Sequence, residues 1–108
     1  MPRKSQTESL ADENAAPGGV AAVDRALSLL AAFGDRDDGL SLSQLAERTR
    51  MYKSTVLRLL ASLEHGGWIT RLDDGRYAVG AAVARLHRVY AQNFSLDSVV
   101  MPVLKALV

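Results

Sequence analysis

Cysteine is absent from the 108 residues, which excludes disulfides and thiolate metal sites and fits a reducing, cytoplasmic setting. No apolar run approaches the roughly 18 residues of a membrane span, and the N-terminus has no apolar segment of a secretory signal. The only histidines, His65 and His87, stand apart with no ligand spacing, so no metal site is expected. Neither a Ser/His/Asp set, a glycine-rich phosphate loop nor a paired-carboxylate pocket is present, and a chain this short leaves little room for a cleft. No catalytic residue and no cofactor is assigned, and an enzyme is not expected.

The formal net charge of +1 is also small, but it conceals an uneven distribution. Between residues 5 and 38 seven acids (Glu8, Asp12, Glu13, Asp24, Asp35, Asp37, Asp38) stand against Arg25 and Arg36. Between residues 48 and 58 four cations (Arg48, Arg50, Lys53, Arg58) stand with no acid among them. A local basic patch is the electrostatic mark of a nucleic-acid binder, and whole-chain charge hides it.

Residues 1–19 are polar and end at Pro17-Gly18-Gly19, which predicts a disordered N-terminal tail. Arg3 and Lys4 offer it a basic arm, but an untethered terminus is the favoured explanation of them. Val20, Val23, Leu27, Leu30 and Phe33 recur at helical spacing and predict a first helix over about 22–33, with Gly34 as a left-handed stop. Ser41 followed by Gln44 reads as a capping box that opens a second helix, with Leu42, Leu45 and Ala46 inward, ending near Thr49. After the turn Thr49-Arg50-Met51, a third helix runs over about 52–65 on the stripe Val56, Leu59, Leu60 and Leu63, and Gly66-Gly67 end it. Trp68 to Arg71 and Arg76 to Val79 read as two strands about the turn Asp73-Asp74-Gly75. Residues 81–93 are helical again, with Val83, Leu86 and Tyr90 on one stripe. Ser95 would cap a further apolar segment that looks like the start of a truncated C-terminal domain over 95–108. The expected fold is mainly α with a small β-hairpin: a winged helix-turn-helix over 20–80, followed by a linker helix over 81–94.

The third helix is the one to enter a major groove, because its leading end is short and polar. Lys53, Ser54, Thr55 and Arg58 lie opposite the apolar stripe. Arg58 suits a bidentate contact to a guanine edge and Lys53 a phosphate, while Ser54 and Thr55 suit either. Arg48, Arg50 and Tyr52 flank the turn beside this face. On the wing, over 68–79, Arg71 and Arg76 are set to meet phosphate or the minor groove, or else to pair with the tip aspartates. Trp68 reads as a packing residue rather than a base-stacking platform.

The runs Val23-Asp24-Arg25-Ala26-Leu27-Ser28-Leu29-Leu30, Leu42-Ser43-Gln44-Leu45-Ala46-Glu47-Arg48-Thr49 and Lys53-Ser54-Thr55-Val56-Leu57-Arg58-Leu59-Leu60 together resemble the IclR family of bacterial transcription regulators. Leu63-Glu64-His65-Gly66-Gly67-Trp68 and Asp74-Gly75-Arg76-Tyr77 before Gly80 extend the likeness to about residues 20–93. The resemblance implies a sequence-specific regulator, a repressor, that binds a palindromic operator in double-stranded DNA as a homodimer. It places dimer contacts on the first helix and on the helix after the wing, which selects Val23, Leu27, Leu30, Val83, Leu86 and Tyr90. It also implies a small-molecule effector, bound by a C-terminal domain outside this chain. Two positions depart from the family pattern: Arg50 and Tyr52 stand where relatives usually carry glycine and proline in the turn. Glycine suits a left-handed turn position, so Arg50 is expected to be strained or the turn relaxed. The alternative from another class is a winged-helix protein-interaction module, which an acidic or apolar third-helix face would favour; this face is the opposite.

Overall fold

Helix ends are where this chain commits its polar backbone groups, and they define the architecture. The computed structural model describes residues 9–94. Along them run α1 (Leu10–Glu13), α2 (Ala21–Ala31), α3 (Leu42–Thr49), α4 (Lys53–His65), β1 (Ile69–Arg71), β2 (Tyr77–Val79) and α5 (Ala81–Asn93). The mainly helical fold with one antiparallel hairpin is the winged helix-turn-helix expected.

The capping box of α3 is present in both directions. The Ser41 hydroxyl accepts the Gln44 amide at 3.1 Å, and the Gln44 side chain accepts the Ser41 amide at 2.8 Å. Helices α3 and α4 finish in the same way. At the end of α4 the Trp68 amide donates to the Leu63 carbonyl and the Gly67 amide to that of Glu64, with Gly67 at φ +82°. At the end of α3 the Met51 amide donates to Ala46 and that of Arg50 to Glu47, with Arg50 at φ 58°. Both are Schellman ends, in which one residue must turn left-handed so that the last carbonyls find donors. Gly67 does this without a Cβ; Arg50 does it at a cost of about 1 kcal/mol.

The core gathers Leu29 from α2, Leu45 from α3, Val56 and Leu60 from α4, Ile69 and Tyr77 from the wing, and Leu40 and Met51 from the connections. Leu42, Ala46, Leu59 and Leu63 pack around it as their spacing predicts. The Thr49 hydroxyl is buried and returns to the Leu45 carbonyl at 2.7 Å, which satisfies it inside the turn. The strands pair Ile69 with Val79, Thr70 with Ala78 and Arg71 with Tyr77. Leu40 forms a single bridge on the other edge of β2, exchanging two backbone hydrogen bonds of 2.8 Å with Tyr77, and so ties the wing to the loop before α3. Gly80 closes the wing onto α4: a Cβ there would strike the Gly67 carbonyl.

Two expectations are corrected. Residues 9–19 are not a loose tail: the buried Ser9 hydroxyl caps α1 by accepting the Asp12 amide at 3.0 Å, Ala11 is buried, and Arg25 on α2 holds Asp12 with two hydrogen bonds of 3.1 and 3.2 Å. The expected tail over 1–8, with Arg3 and Lys4, lies outside the described residues, as does the segment 95–108. Gly34 is not among the left-handed residues; α2 closes through tight bonds from the Ala32 and Phe33 amides, and the Gly34 amide donates to Asp37 at 2.7 Å. The face that α2 turns to the core carries Leu29, whereas Val23 and Leu27 are 53% and 56% exposed. The wing tip is the expected turn Asp73-Asp74-Gly75, a three-residue loop in which the Gly75 amide donates to the Leu72 carbonyl and Gly75 alone takes a positive φ, of +91°.

Candidate nucleic-acid interface

Five arginines and one lysine are candidates on the helix-turn-helix and its wing, and the structure divides them by whether a carboxylate already holds them. Arg48 is held: its guanidinium lies 2.7 Å from Asp37 and donates at 2.9 Å to the Ala32 carbonyl. The Arg48 side chain, with the Gly34 amide assisting, keeps the Asp37 carboxyl below the usual carboxylate range. This pair fastens the loop between α2 and α3. Arg50 is held by Glu13 at 2.7 Å, a contact from α1. Arg76 is held at the wing tip by Asp74 at 2.8 Å, and it also reaches the Gly39 carbonyl at 3.4 Å. The Arg76 backbone amide, then its side chain, hold the Asp74 carboxyl low. Arg71 sits 5.6 Å from the centroid of the Tyr77 ring, which orients its guanidinium on the exposed side of β1.

Lys53 and Arg58 make no ion pair among the described residues. Both are exposed, as is Ser54, and all three lie on the first two turns of α4; Thr55 is half-buried at the edge of this face. The helix spacing that buries Val56 and Leu60 produces this arrangement, since positions 54 and 58 lie on the side opposite them. Tyr52 is the N-cap of α4, in extended conformation and 62% exposed. It supplies no side-chain cap, so the leading amides of α4 point outward with the positive end of the helix dipole behind them. Fixed positive potential, two uncommitted cations and small hydroxyls therefore share one exposed helix end.

Leu57 stands in the same face, exposed between Lys53 and Arg58 and off the core stripe of Val56, Leu59, Leu60 and Leu63. Its residue type gives no sign of a role there; its exposure among the polar residues does. Trp68 is half-buried and lies outside the main core cluster. No group of His, Asp or Glu that could hold a metal occurs among the described residues, and no described helix is long and apolar enough to cross a membrane.

The residues assigned to dimer contacts fall in different settings. Val23 and Leu27 are exposed on α2, and Leu27 borders a hollow of about 400 Å³ that Leu10 and Ala11 of α1 also line. Leu30 is turned inward, partly buried against the core. Helix α5 contains no buried residue, yet exposes Leu86, Val89 and Tyr90, with Val83 half-buried at its start and Phe94 just past its end, 4.8 Å from the Tyr90 ring.

Residues 22–73 match the family model of the IclR helix-turn-helix domain. The chain is similar to the transcriptional repressor IclR of Escherichia coli (strain K12), at 28% identity over 93 residues covering 85% of this chain and 34% of that protein. It is similar to the HTH-type transcriptional regulator TtgV of Pseudomonas putida, at 32% identity over 98 residues covering 89% of this chain and 37% of that protein. An IclR family transcriptional regulator from Brucella abortus has the same fold, with a TM-score of 0.68 at 26% identity, covering 83% of this chain and 35% of the other. The chain thus spans little more than a third of the length of these relatives. Its helix-turn-helix domain, residues 22–73, belongs to the IclR family.

Proposed function

We propose that this chain is the DNA-binding part of a transcription regulator, a repressor, that binds a palindromic operator as a homodimer with α4 in the major groove. The observation that carries this reading is the uncommitted pair Lys53 and Arg58 beside Ser54 at the outward-facing end of α4. In this arrangement Arg58 reads a base edge, Lys53 and the leading amides of α4 hold phosphate, and Ser54 and Thr55 adjust the fit. Arg71 is the wing residue that reaches the backbone or minor groove, since Arg76 is occupied by Asp74. The relatives are named as transcriptional regulators, which supports regulation rather than catalysis.

The dimer follows from α5. A helix of 13 residues with none fully buried on its own chain is marginal in water, and one with an apolar stripe is stabilised by covering that stripe. A second copy supplies the matching apolar face, and Val23 and Leu27 of α2 offer further exposed apolar side chains. Effector control resides in a domain outside this chain.

Selection of bound sequences from a random duplex pool tests the whole reading. A dimer enriches two inverted half-sites about 10 base pairs apart, centre to centre. Sedimentation of Leu86→Glu should show monomer where the unmodified chain shows dimer. A chain that enriches no sequence and is not retained by duplex DNA at low salt is an interaction module instead.

A further inference from the structure

Helix α4 carries four leucines, and three of them serve the core: Leu60 is 1% exposed, and Leu59 and Leu63 pack against the buried cluster. Leu57 is 47% exposed. It follows Lys53 by four residues and Ser54 by three, and it directly precedes Arg58, so it lies on the first two turns of the helix among the polar residues of the leading face. A single exposed leucine on a surface needs no explanation. The neighbours of this one decide what can cover it. Lys53 and Arg58 have no carboxylate partner among the described residues, and a second copy of the same face would set these cations against their own kind. A duplex instead offers walls of uniform negative charge to Lys53 and Arg58. On the floor of its major groove, the apolar feature of the base-edge code is the C5-methyl of thymine.

We propose that Leu57 is a specificity-determining residue that packs on a thymine methyl group in the major groove. The assignment rests on the DNA-binding reading above and adds to it an apolar contact beside the polar ones. Arg58 then selects by hydrogen bonding to one base, while Leu57 selects its neighbour by shape and by removal of a methyl group from water.

The test uses the whole chain and the consensus duplex obtained from the random pool, with each thymine replaced in turn by deoxyuridine. That exchange removes the methyl group and leaves base pairing intact. At one thymine per half-site the exchange should weaken binding by the unmodified chain about fourfold, as expected for one buried methyl. Leu57→Ala should bind the thymine and uracil duplexes equally, and it should lose more affinity for the selected duplex than for random duplex at low salt. Methyl sensitivity that persists in Leu57→Ala would overturn the assignment, as would insensitivity of the unmodified chain at every thymine. So would an equal loss of random-duplex binding in the variant. If the unmodified chain enriches no duplex at all, the DNA-binding reading itself falls and the assignment falls with it; a chain that does enrich DNA but ignores the methyl group refutes Leu57 alone.

Discussion

Glu13 and Arg50 are joined by a 2.7 Å ion pair that spans 37 residues of sequence and links α1 to the left-handed residue of the turn. The pair brings together two departures from expectation: an ordered helix ahead of α2 and an arginine where the backbone favours glycine. It also places an acid on a cation that borders the leading face of α4. Arg50 is therefore a cation whose charge is answered in the free protein, unlike Lys53 and Arg58.

Removing that acid should release the cation. Glu13→Gln is expected to strengthen binding to random duplex at low salt several-fold, and to steepen the dependence of log affinity on log salt by about one, the signature of one added phosphate contact. Fluorescence anisotropy across salt concentrations reads both. An unchanged slope would show that Arg50 does not reach phosphate.

The strain at Arg50 is separable from its ion pair. In a Glu13→Gln background, Arg50→Gly should raise unfolding stability by up to about 1 kcal/mol, because relief of the left-handed strain exceeds the added entropy of a glycine in the unfolded chain. Arg50→Val in the same background should lower it by about 1–2 kcal/mol, since a β-branched side chain fits φ near +60° worst. Urea unfolding measures both; equal stability of the glycine and valine variants would remove the strain argument.

Asp37 makes a pH-dependent contribution whose sign is fixed by its lowered pKa, due first to the Arg48 side chain and then to the Gly34 amide. The folded chain binds this proton less readily than the unfolded chain does. The stabilisation is thus complete above the ordinary carboxylate value of about 3.9, and it is lost as pH falls through the lower folded value. Asp37→Asn should lower the urea midpoint near neutral pH and flatten its fall in acid. A variant with the same acid limb as the unmodified chain would contradict this.

Most of the scaffold was legible because local signals there carry their own mechanism. Ser41 and Gln44 cap each other with no tertiary help, and Val56 and Leu60 follow from helical spacing. What was missed depends on contacts distant in sequence. Leu40 is bridged to the wing through Tyr77, and Ser9 and Ala11 are ordered by packing on α2. The same holds at the site. Residue type picked out Lys53, Ser54 and Arg58, but it could not tell that Asp37, Glu13 and Asp74 occupy Arg48, Arg50 and Arg76. Spacing left Leu57 off the core stripe of α4 but gave it no role, and it could not separate Leu30 from the exposed side of α2.

The central claim is that the leading face of α4 reads duplex DNA, with Arg58 on a base and Lys53 on phosphate. Titrating the unmodified chain, Arg58→Ala and Lys53→Ala against the selected duplex and a scrambled one, across salt, tests it most directly. Arg58→Ala should cost about 1–3 kcal/mol on the selected duplex, little on the scrambled one, and relax specificity at one position. Lys53→Ala should weaken both duplexes alike and reduce the salt slope by about one. Two substitutions that leave affinity, specificity and slope unchanged would contradict the account.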